Sequence, residues 1–418
     1  MTGSTAHRPD ATDFLDIFLN DTPMIDTRAP VEFNKGAFPG SVSLPLMTDD
    51  ERALVGTCYK QQGQDKAITL GHELVSGNIK TERVQAWLDF AHQHPKGYLY
   101  CWRGGLRSQI CQQWMRDADC DYPRITGGYK AMRSWIIEHF ERQCTSLPMQ
   151  VLAGKTGCDK TGLLLQLPNS VDLEGLANHL GSAFGKRPSG QPTQLNFENA
   201  LAVAMLKAEH SDAVQSGLPV VLEDESLLIG RCSLPHQLRQ TMDAAPLVVL
   251  DVTLEERVEH TFHNYILKKL AEWKTTLEAG ADRSSNRSSN RSSDNSSNRS
   301  SNRPSDNSSN CPSNSDGDDD GNHDDEAFDA FANDLTSSLS RVQKRLGGVR
   351  YQALETQLNQ ALEAHKNGEP DAHRGWISAL LTDYYDPMYE YQLSKREDKI
   401  VFRGNRTEVR EFLSTRPE

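Results

Sequence analysis

Short apolar segments alternate with amphipathic stretches over residues 13–145. The segments PMIDTR and GYLYC are rich in β-forming residues, which predicts two strands. Between these strands, Val84, Leu88 and Ala91 recur at helical spacing and predict a helix with one apolar stripe. After Cys101, a glycine-containing turn leads into a second helical pattern, SQICQQWMRDAD. Alternation of strands and helices is typical of parallel sheets, so these residues predict a small α/β domain.

A second α/β pattern covers residues 149–280. It opens with MQVLAGKTGCDKTGLLLQL, which predicts a strand, a glycine-containing loop and a helix. Two further apolar runs, LPVVLED and APLVVLDVT, both reach an acidic residue, as expected for buried strands of a parallel sheet covered on both faces. The helical pattern EERVEHTFHNYILKKLAEW follows them. The sequence therefore predicts a second α/β domain.

Residues 281–326 interrupt this organisation. The segment consists of repeated RSSN and related tetrapeptides followed by the acidic run DGDDDGNHDDE, and it has almost no apolar residues. Such a composition cannot offset its ordering entropy, which predicts a disordered insertion. Two amphipathic patterns follow, so residues 327–418 are predicted to form a helical C-terminal part of the second domain.

Composition excludes several classes of protein. The 45 Lys and Arg against 58 Asp and Glu give a net charge of −13, which argues against a uniformly basic nucleic-acid-binding surface. No apolar run approaches the roughly 18 residues of a membrane helix, and the N-terminus lacks the layout of a secretion signal. The 8 cysteines include no CxxC pair. We therefore expect a cytoplasmic protein with reduced thiols, rather than a secreted, membrane or zinc-ribbon protein.

The segment CWRGGLRS is the strongest candidate for chemistry. It places Cys101 directly after a predicted strand and before a predicted helix, with Gly104 and Gly105 between them. A short loop with two glycines can turn its backbone N–H groups towards a point above the sulfur. Those groups, the helix N-terminus, Arg103 and Arg107 all favour negative charge there. The pattern predicts a nucleophilic thiol that holds an anionic substrate or a covalent adduct.

A second candidate site follows the first strand of the second domain. Gly154, Gly157, Lys160 and Thr161 match most of the phosphate-loop pattern GxxxxGK[ST] between a strand and a helix. In that pattern the lysine reaches a terminal phosphate and the threonine holds Mg²⁺. The penultimate glycine is replaced by Asp159, which adds bulk and negative charge where the backbone surrounds the phosphates.

The chain resembles the tRNA 2-selenouridine synthase family in an ordered series of motifs. These are DTRAPVEFNKGAFPGSVSLPL, ERALVGTCYKQQG, CWRGGLRS, GGYKAMR, DLEGLANHLGSAFG, QPTQLNFENAL, EDESLLIGRCSLP and YYDPMYEYQL. The resemblance spans nearly the whole chain except residues 281–326. It implies an α/β fold in which an N-terminal rhodanese-like parallel-sheet domain precedes a P-loop NTPase-like domain with helical C-terminal additions.

The resemblance also implies an activity on tRNA. Wobble 2-thiouridine would be converted to 2-selenouridine with selenophosphate, through S-geranyl-2-thiouridine made from geranyl diphosphate. Cys101 would carry selenium covalently, while Arg103 and Arg107 would help to hold the anionic donor. No tightly bound cofactor and no resident metal ion are expected, although Mg²⁺ could accompany the diphosphate. Glu223 and Asp224, at the end of a predicted strand, are the candidate acids for ordering it.

Cations between Arg103 and Arg133 suggest a tRNA surface. Six basic residues lie in this stretch, close to three aromatic residues. The basic residues could follow a phosphate backbone, and the aromatic residues could stack on bases. The cations are Arg103, Arg107, Arg116, Arg124, Lys130 and Arg133, and the aromatic residues are Tyr122, Tyr129 and Trp135.

Two other functions remain open from the sequence. A general rhodanese-type sulfurtransferase would need only residues 13–145 and would leave the second domain without a role. The other function is that of a non-catalytic protein that binds tRNA or nucleotides and whose phosphate loop has decayed. Such decay would explain why Asp159 replaces a glycine of the phosphate-loop pattern. It would also account for Leu180, which stands where the family has a basic residue.

Overall fold

Two parallel sheets form the framework of the chain. The computed structural model describes residues 8–279 and 319–415. Its ten strands are β1 (Met24–Asp26), β2 (Ser41–Ser43), β3 (Tyr98–Tyr100), β4 (Met149–Gly154), β5 (Ser170–Val171), β6 (Val220–Glu223), β7 (Leu228–Ile229), β8 (Cys232–Ser233), β9 (Leu247–Leu250) and β10 (Ile400–Gly404). Strands β7 and β8 form a separate antiparallel pair.

Helices surround both sheets and make up most of the C-terminal part. The α-helices are Phe14–Leu19, Pro30–Lys35, Asp49–Gln62, Gln64–Leu74, Gly77–Gln93, Leu106–Arg116, Gly128–Ser146, Lys160–Leu164, Leu173–Ala177, Gln194–Glu209, Asp212–Gln215, His236–Ala244, Leu254–Phe262, 268–279, Asp319–Leu346, Gly348–Lys366, His373–Leu380, Asp386–Ser394 and Arg406–Leu413. Single π-helical turns lie at His263–Leu267 and Leu381–Tyr385, and 3₁₀ turns at Pro370–Ala372 and Glu397–Lys399. Within the described residues, no helix is both long and apolar enough to cross a membrane.

The first sheet has the order β2-β1-β3, with both pairs parallel. Ile25 and Leu99 lie opposite each other in its centre and are fully buried. Helix Gly77–Gln93 covers one face with Trp87 and Phe90, which share a cluster with the central strands. Because β1 and β3 run in the same direction, the residues that follow both strands meet at one edge. That edge carries Cys101.

The second sheet has the order β5-β6-β4-β9-β10, and all its pairs are parallel. Every residue of β4, β6 and β9 is buried, as the continuous apolar runs predicted. Ligands of open parallel sheets bind beyond the carboxyl ends of the strands. The loop that follows the central strand β4 lies at that edge.

The two sheets are joined by a shared apolar core. Helix Gly128–Ser146 packs against helix Gln194–Glu209, so the last helix of the first domain contacts the second domain along its length. Tyr129, Ile136 and Phe197 belong to one buried cluster that extends to both sheets.

The C-terminal part differs from its prediction in two respects. Of the predicted insertion 281–326, residues 281–318 lie outside the described residues, whereas 319–326 form the first turns of helix Asp319–Leu346. Of the predicted helical part 327–418, the described residues 327–415 are mainly helical, but they also supply β10, which pairs with β9 at the edge of the second sheet. This strand was missed because IVFRG is a short edge strand without a buried residue, so it lacks the continuous apolar run of the central strands.

Candidate active site

Cys101 lies at the carboxyl end of the first sheet, beside the start of a helix. The residue is 3% exposed, and its sulfur lies 3.2 Å from the Ser108 hydroxyl. Helix Leu106–Arg116 begins after Gly105, which provides no side-chain cap, so the first N–H groups of the helix are available to an anion. Burial raises the pKa of Cys111 and Cys144, which makes them poor nucleophiles. Cys101 therefore lies beside uncapped helix N–H groups that an anion could use.

Two glycines allow the loop around Cys101 to close. Gly104 has φ +63° and Gly128 has φ +59°, and both conformations favour glycine. A Cβ at Gly128 would lie 2.2 Å from the Cys101 carbonyl oxygen, which shows how tightly the segment GGYKAMR packs beneath the loop. The N–H groups of Tyr129 and Lys130 donate to the carbonyls of Cys101 and Trp102, each at 2.9 Å. The two motifs thus form one structural unit.

The two arginines of the loop have different environments. Arg107 is half-buried and pairs with Glu32 at 2.6 Å, and Glu32 also pairs with Arg52 at 3.0 Å. Arg103 is exposed and makes no ion pair with any residue in the described ranges. Arg103 is thus free to contact an anionic ligand, whereas Arg107 must share its charge with Glu32.

The predicted tRNA surface is only partly retained. The hypothesis that Tyr122 and Tyr129 stack on bases is wrong, because both side chains are buried in the apolar clusters. Three of the cations are held by carboxylates in the ion pairs Arg116–Asp121, Arg124–Asp10 and Arg133–Glu198. Trp135 packs against Phe14 and Phe18 and stacks on His139. Arg103 and Lys130 remain exposed and can contact a phosphate backbone.

The loop after β4 has the backbone that its glycines predict. A Cβ at Gly154 would lie 3.0 Å from the Leu250 carbonyl oxygen, so β9 allows no side chain there. Gly157 has φ +85°, and its Cβ would lie 2.8 Å from the Arg257 carbonyl oxygen. The Lys160 ammonium donates to the Gly154 carbonyl at 3.2 Å and so lies over the loop. The structure therefore brings Gly154, Gly157 and Lys160 together as a phosphate loop requires.

Asp159 takes the place of the missing glycine in a specific way. Its backbone is left-handed, with φ 61° and ψ 48°, a conformation that aspartate tolerates better than most residues. Its carboxylate caps the short helix by accepting the Gly162 N–H at 3.0 Å, and it pairs with Arg406 at 2.7 Å. His260 Nε2 lies 3.4 Å from Oδ1, the oxygen that accepts the Gly162 N–H. Asp159 therefore occupies a helix N–H that a bound phosphate would use.

Buried carboxyls surround the lysine of the loop. Burial and the neighbouring charge of Glu225 raise the pKa of Glu174, and burial and the charge of Glu174 raise that of Glu223. Burial also raises the pKa of Glu225, to about 7. Burial alone would lower the pKa of Lys160, but Cys158, Glu174 and Glu225 raise it above its usual value. The carboxyls therefore stabilise the charge of the lysine, whereas burial and mutual repulsion disfavour negative charge on the carboxyls.

Thr161 and Glu223 fit the requirements of Mg²⁺. The Thr161 hydroxyl donates to Glu223 at 2.9 Å, so both oxygens lie beside the phosphate loop. Mg²⁺ commonly uses one or two protein oxygens together with substrate phosphates. Within the residues that the structure describes, no group of three or more His, Cys, Asp or Glu could hold a metal ion by itself. Asp224, the other candidate acid, is paired with Arg396 at 2.6 Å and has a structural role.

The sequence analysis missed the residues that brace the phosphate loop from outside. Arg257 is buried, donates to the Thr156 carbonyl at 2.9 Å and pairs with Asp386 at 2.5 Å. Lys155 lies 3.6 Å from the same carboxylate. Asp386 belongs to the motif YYDPMYEYQL. This motif lies far from the phosphate loop in the sequence, so no local pattern could predict the contact.

Fold and site together define an α/β protein that combines a thiol beside an uncapped helix start with a loop of phosphate-loop geometry at the edge of a second sheet. Comparison with known proteins identifies the family. The family model "tRNA 2-selenouridine synthase AAA domain" matches residues 147–295 and 314–418. This chain belongs to the tRNA 2-selenouridine synthase family.

Curated relatives match the chain over almost its whole length, and each of the following is named tRNA 2-selenouridine synthase. The protein of Hahella chejuensis is 51% identical over 97% of this chain and 94% of its own. That of Marinobacter nauticus is 47% identical over 98% of this chain and 99% of its own. That of Pseudomonas syringae pv. syringae is 45% identical over 98% of each chain. Both domains are therefore included in the similarity.

Proposed function

We propose that this chain converts the wobble 2-thiouridine of tRNA into 2-selenouridine, with selenophosphate as selenium donor and Cys101 as covalent selenium carrier. The single observation that carries this proposal is the position of the Cys101 sulfur at the start of an uncapped helix. Membership of the family supports the reaction. The first domain then acts as a rhodanese-like carrier domain, and its loop N–H groups and Arg103 stabilise the anionic donor.

The second domain has a separate task in this proposal. Gly154, Gly157, Lys160 and Thr161 hold the diphosphate of geranyl diphosphate, so that the thiocarbonyl sulfur of the base can be geranylated. Thr161 and Glu223 would hold Mg²⁺, which would neutralise charge on the diphosphate. Geranylation converts the sulfur into a better leaving group. A selenium nucleophile at the first domain then bonds to C2 of the base, the C2–S bond breaks, and the sulfur leaves as geranylthiolate.

One observation favours a second candidate function. Asp159 occupies a helix N–H at the phosphate loop and is locked by Arg406, which reduces the room for a phosphate. A chain with a weakened phosphate loop would bind tRNA and carry selenium on Cys101 but geranylate poorly. The general sulfurtransferase has no such support, because the similarity extends through both domains.

Nucleoside analysis of tRNA tests these functions. Cells that lack their own enzyme would receive the wild-type chain, Cys101→Ala or the control Cys120→Ala, which removes a half-buried thiol away from the loop. We expect 2-selenouridine with the wild-type and control chains. With Cys101→Ala we expect its loss and the accumulation of S-geranyl-2-thiouridine. Selenouridine at normal levels with Cys101→Ala would contradict the carrier role. Selenouridine without any dependence on geranyl diphosphate would contradict the geranyl route.

A further inference from the structure

A cavity of about 570 Å³ lies beside the thiol loop. It is enclosed mainly by helices Asp49–Gln62, Gln64–Leu74 and Leu106–Arg116, of which only the last was predicted from the sequence. Its volume falls within the range of about 300–1,000 Å³ that is typical of small-molecule sites.

The lining of the cavity is mainly apolar. Its walls include Val55, Ala67, Ile68, Val75, Ile110 and Trp114. Two further lining residues are large apolar side chains that remain open to solvent, because Tyr59 is 57% exposed and Leu106 is 44% exposed. Exposed apolar side chains at the margin of an apolar cavity are typical of a ligand site. The ligand therefore has a substantial hydrocarbon part.

The cavity also has a charged end. Arg103 and Arg107 line it, and both belong to the loop that begins at Cys101. Arg107 is held in place by Glu32 at 2.6 Å, whereas Arg103 is exposed. An occupant would thus have its hydrocarbon part between the helices and its polar part at the thiol loop. A hydrocarbon without a polar group, or a purely polar metabolite, fits only one of these two regions.

We propose that this cavity binds the ten-carbon chain of S-geranyl-2-thiouridine and so positions the modified base beside Cys101. The proposal rests on the proposed function, which supplies a substrate with this combination of a hydrocarbon chain and a polar base. The nucleoside is favoured over geranyl diphosphate as occupant because the cavity adjoins the selenium-carrying loop of the first domain. The phosphate loop follows β4 in the second domain.

This site gives the geranyl group a second role. Besides making sulfur a better leaving group, the chain would serve as a handle that selects geranylated over unmodified bases at the selenium-transfer step. Unmodified 2-thiouridine lacks the chain and would bind weakly. Discrimination of this kind follows from apolar contacts that only one of the two substrates can make.

A filling substitution tests the cavity directly. Val55→Trp places a large side chain into the cavity from helix Asp49–Gln62, and Ile68→Trp does so from the facing helix. The matched control is Leu54→Trp, because Leu54 is adjacent on the same helix but is 55% exposed and does not line this cavity. Melting curves of all variants establish which are folded, and either filling variant suffices.

The binding assay is calorimetry on the full chain with the nucleosides S-geranyl-2-thiouridine and S-methyl-2-thiouridine. We expect the wild-type and control chains to prefer the geranyl nucleoside by at least about tenfold, and the filling variants to lose that preference. Equal affinities for the two nucleosides in the wild-type chain would overturn the proposal, as would a preference that survives in a folded filling variant. A filling variant that loses affinity for geranyl diphosphate but keeps the nucleoside preference would also overturn it.

A second measurement separates this proposal from the proposed function. The wild-type, control and filling variants would be supplied with pre-geranylated tRNA and selenophosphate, and both selenium on Cys101 and 2-selenouridine would be measured. We expect the filling variants to load selenium normally but to require about tenfold more geranylated tRNA for half-maximal rate. If the wild-type chain makes no 2-selenouridine, the proposed function fails, whereas the nucleoside preference still decides the cavity.

Discussion

Replacement of Asp159 by glycine is expected to strengthen diphosphate binding at the phosphate loop. Asp159 has the left-handed backbone that glycine adopts without strain, and its carboxylate occupies the Gly162 N–H. In Asp159→Gly, that N–H becomes available to a ligand phosphate. The Arg406 guanidinium, now paired with Asp159 at 2.7 Å, would also be released and could face the ligand.

The expected magnitude follows from the charges involved. Two unit charges about 4 Å apart repel by about 1 kcal/mol in water and about 4 kcal/mol at an effective dielectric of 20. Arg406 offsets part of this repulsion, so the lower half of the range applies, and about 1.4 kcal/mol corresponds to tenfold in affinity. We expect Asp159→Gly to bind geranyl diphosphate at least about tenfold more tightly.

Stability is expected to change little in the same variant. Replacement of an aspartate N-cap by glycine lowers the free energy of unfolding by only about 0.3 kcal/mol. Loss of the partly exposed ion pair with Arg406 removes about 0–1 kcal/mol. Relief of the left-handed backbone at Asp159 returns about 1 kcal/mol. The terms nearly cancel, so the melting temperature should shift by no more than a few degrees, on the order expected for 1 kcal/mol.

The assay is calorimetry with geranyl diphosphate and with inorganic diphosphate at fixed salt. Asp159→Asn is the matched control, because asparagine can cap the helix and adopt the same backbone while it removes the charge. If charge is decisive, Asn and Gly both tighten binding, whereas if the occupied N–H is decisive, only Gly does. Equal affinities for wild-type, Asn and Gly chains would refute the reasoning and would place the diphosphate elsewhere.

Two further predictions concern the glycine beneath the thiol and the buried carboxyl. Gly128→Ala should lower stability by at least about 1–2 kcal/mol and reduce selenium loading, because its Cβ would clash with the Cys101 carbonyl in a left-handed backbone. The measurements are thermal melting and the amount of selenium bound to the protein. The control is Gly105→Ala, whose Cβ would meet nothing within 4 Å, so we expect a smaller loss. Equal losses of stability and selenium in the two variants would contradict the prediction. The folded pKa of Glu223 is raised from 4.5 to about 8, so between these values the folded state binds more protons and its stability falls as pH rises. Relative to Glu223→Gln, the free energy of unfolding of the wild-type chain should therefore fall by more than about 1 kcal/mol between pH 6 and pH 8, and Mg²⁺ should reverse the fall. Parallel pH profiles would contradict the raised pKa, and a fall that Mg²⁺ does not reverse would argue against a cation site there.

Local sequence was sufficient for β1, β3, β4, β6 and β9 and for both loops, but not for the short strands β2, β5, β7 and β8 or for β10. The apolar runs at β4, β6 and β9 predicted buried parallel strands because each strand carries its whole pattern in a few consecutive residues. The loops at Cys101 and Gly154 were found for the same reason, since strand, glycine turn and helix start are contiguous in the chain. Similarity to the family extended these predictions to a function, whereas composition alone excluded only classes of protein.

Contacts between distant segments could be decided only by the tertiary structure. Asp159 meets Arg406, Arg257 meets Asp386, and the cavity beside Cys101 is built partly by helices that were not predicted. Hydrophobic periodicity reports which face of an element is buried, but not which element covers it. For that reason Tyr129, which looked available for stacking in the sequence, proved to be part of the core. The path of the chain determines which charges neutralise each other, and therefore which cations remain free to meet a ligand.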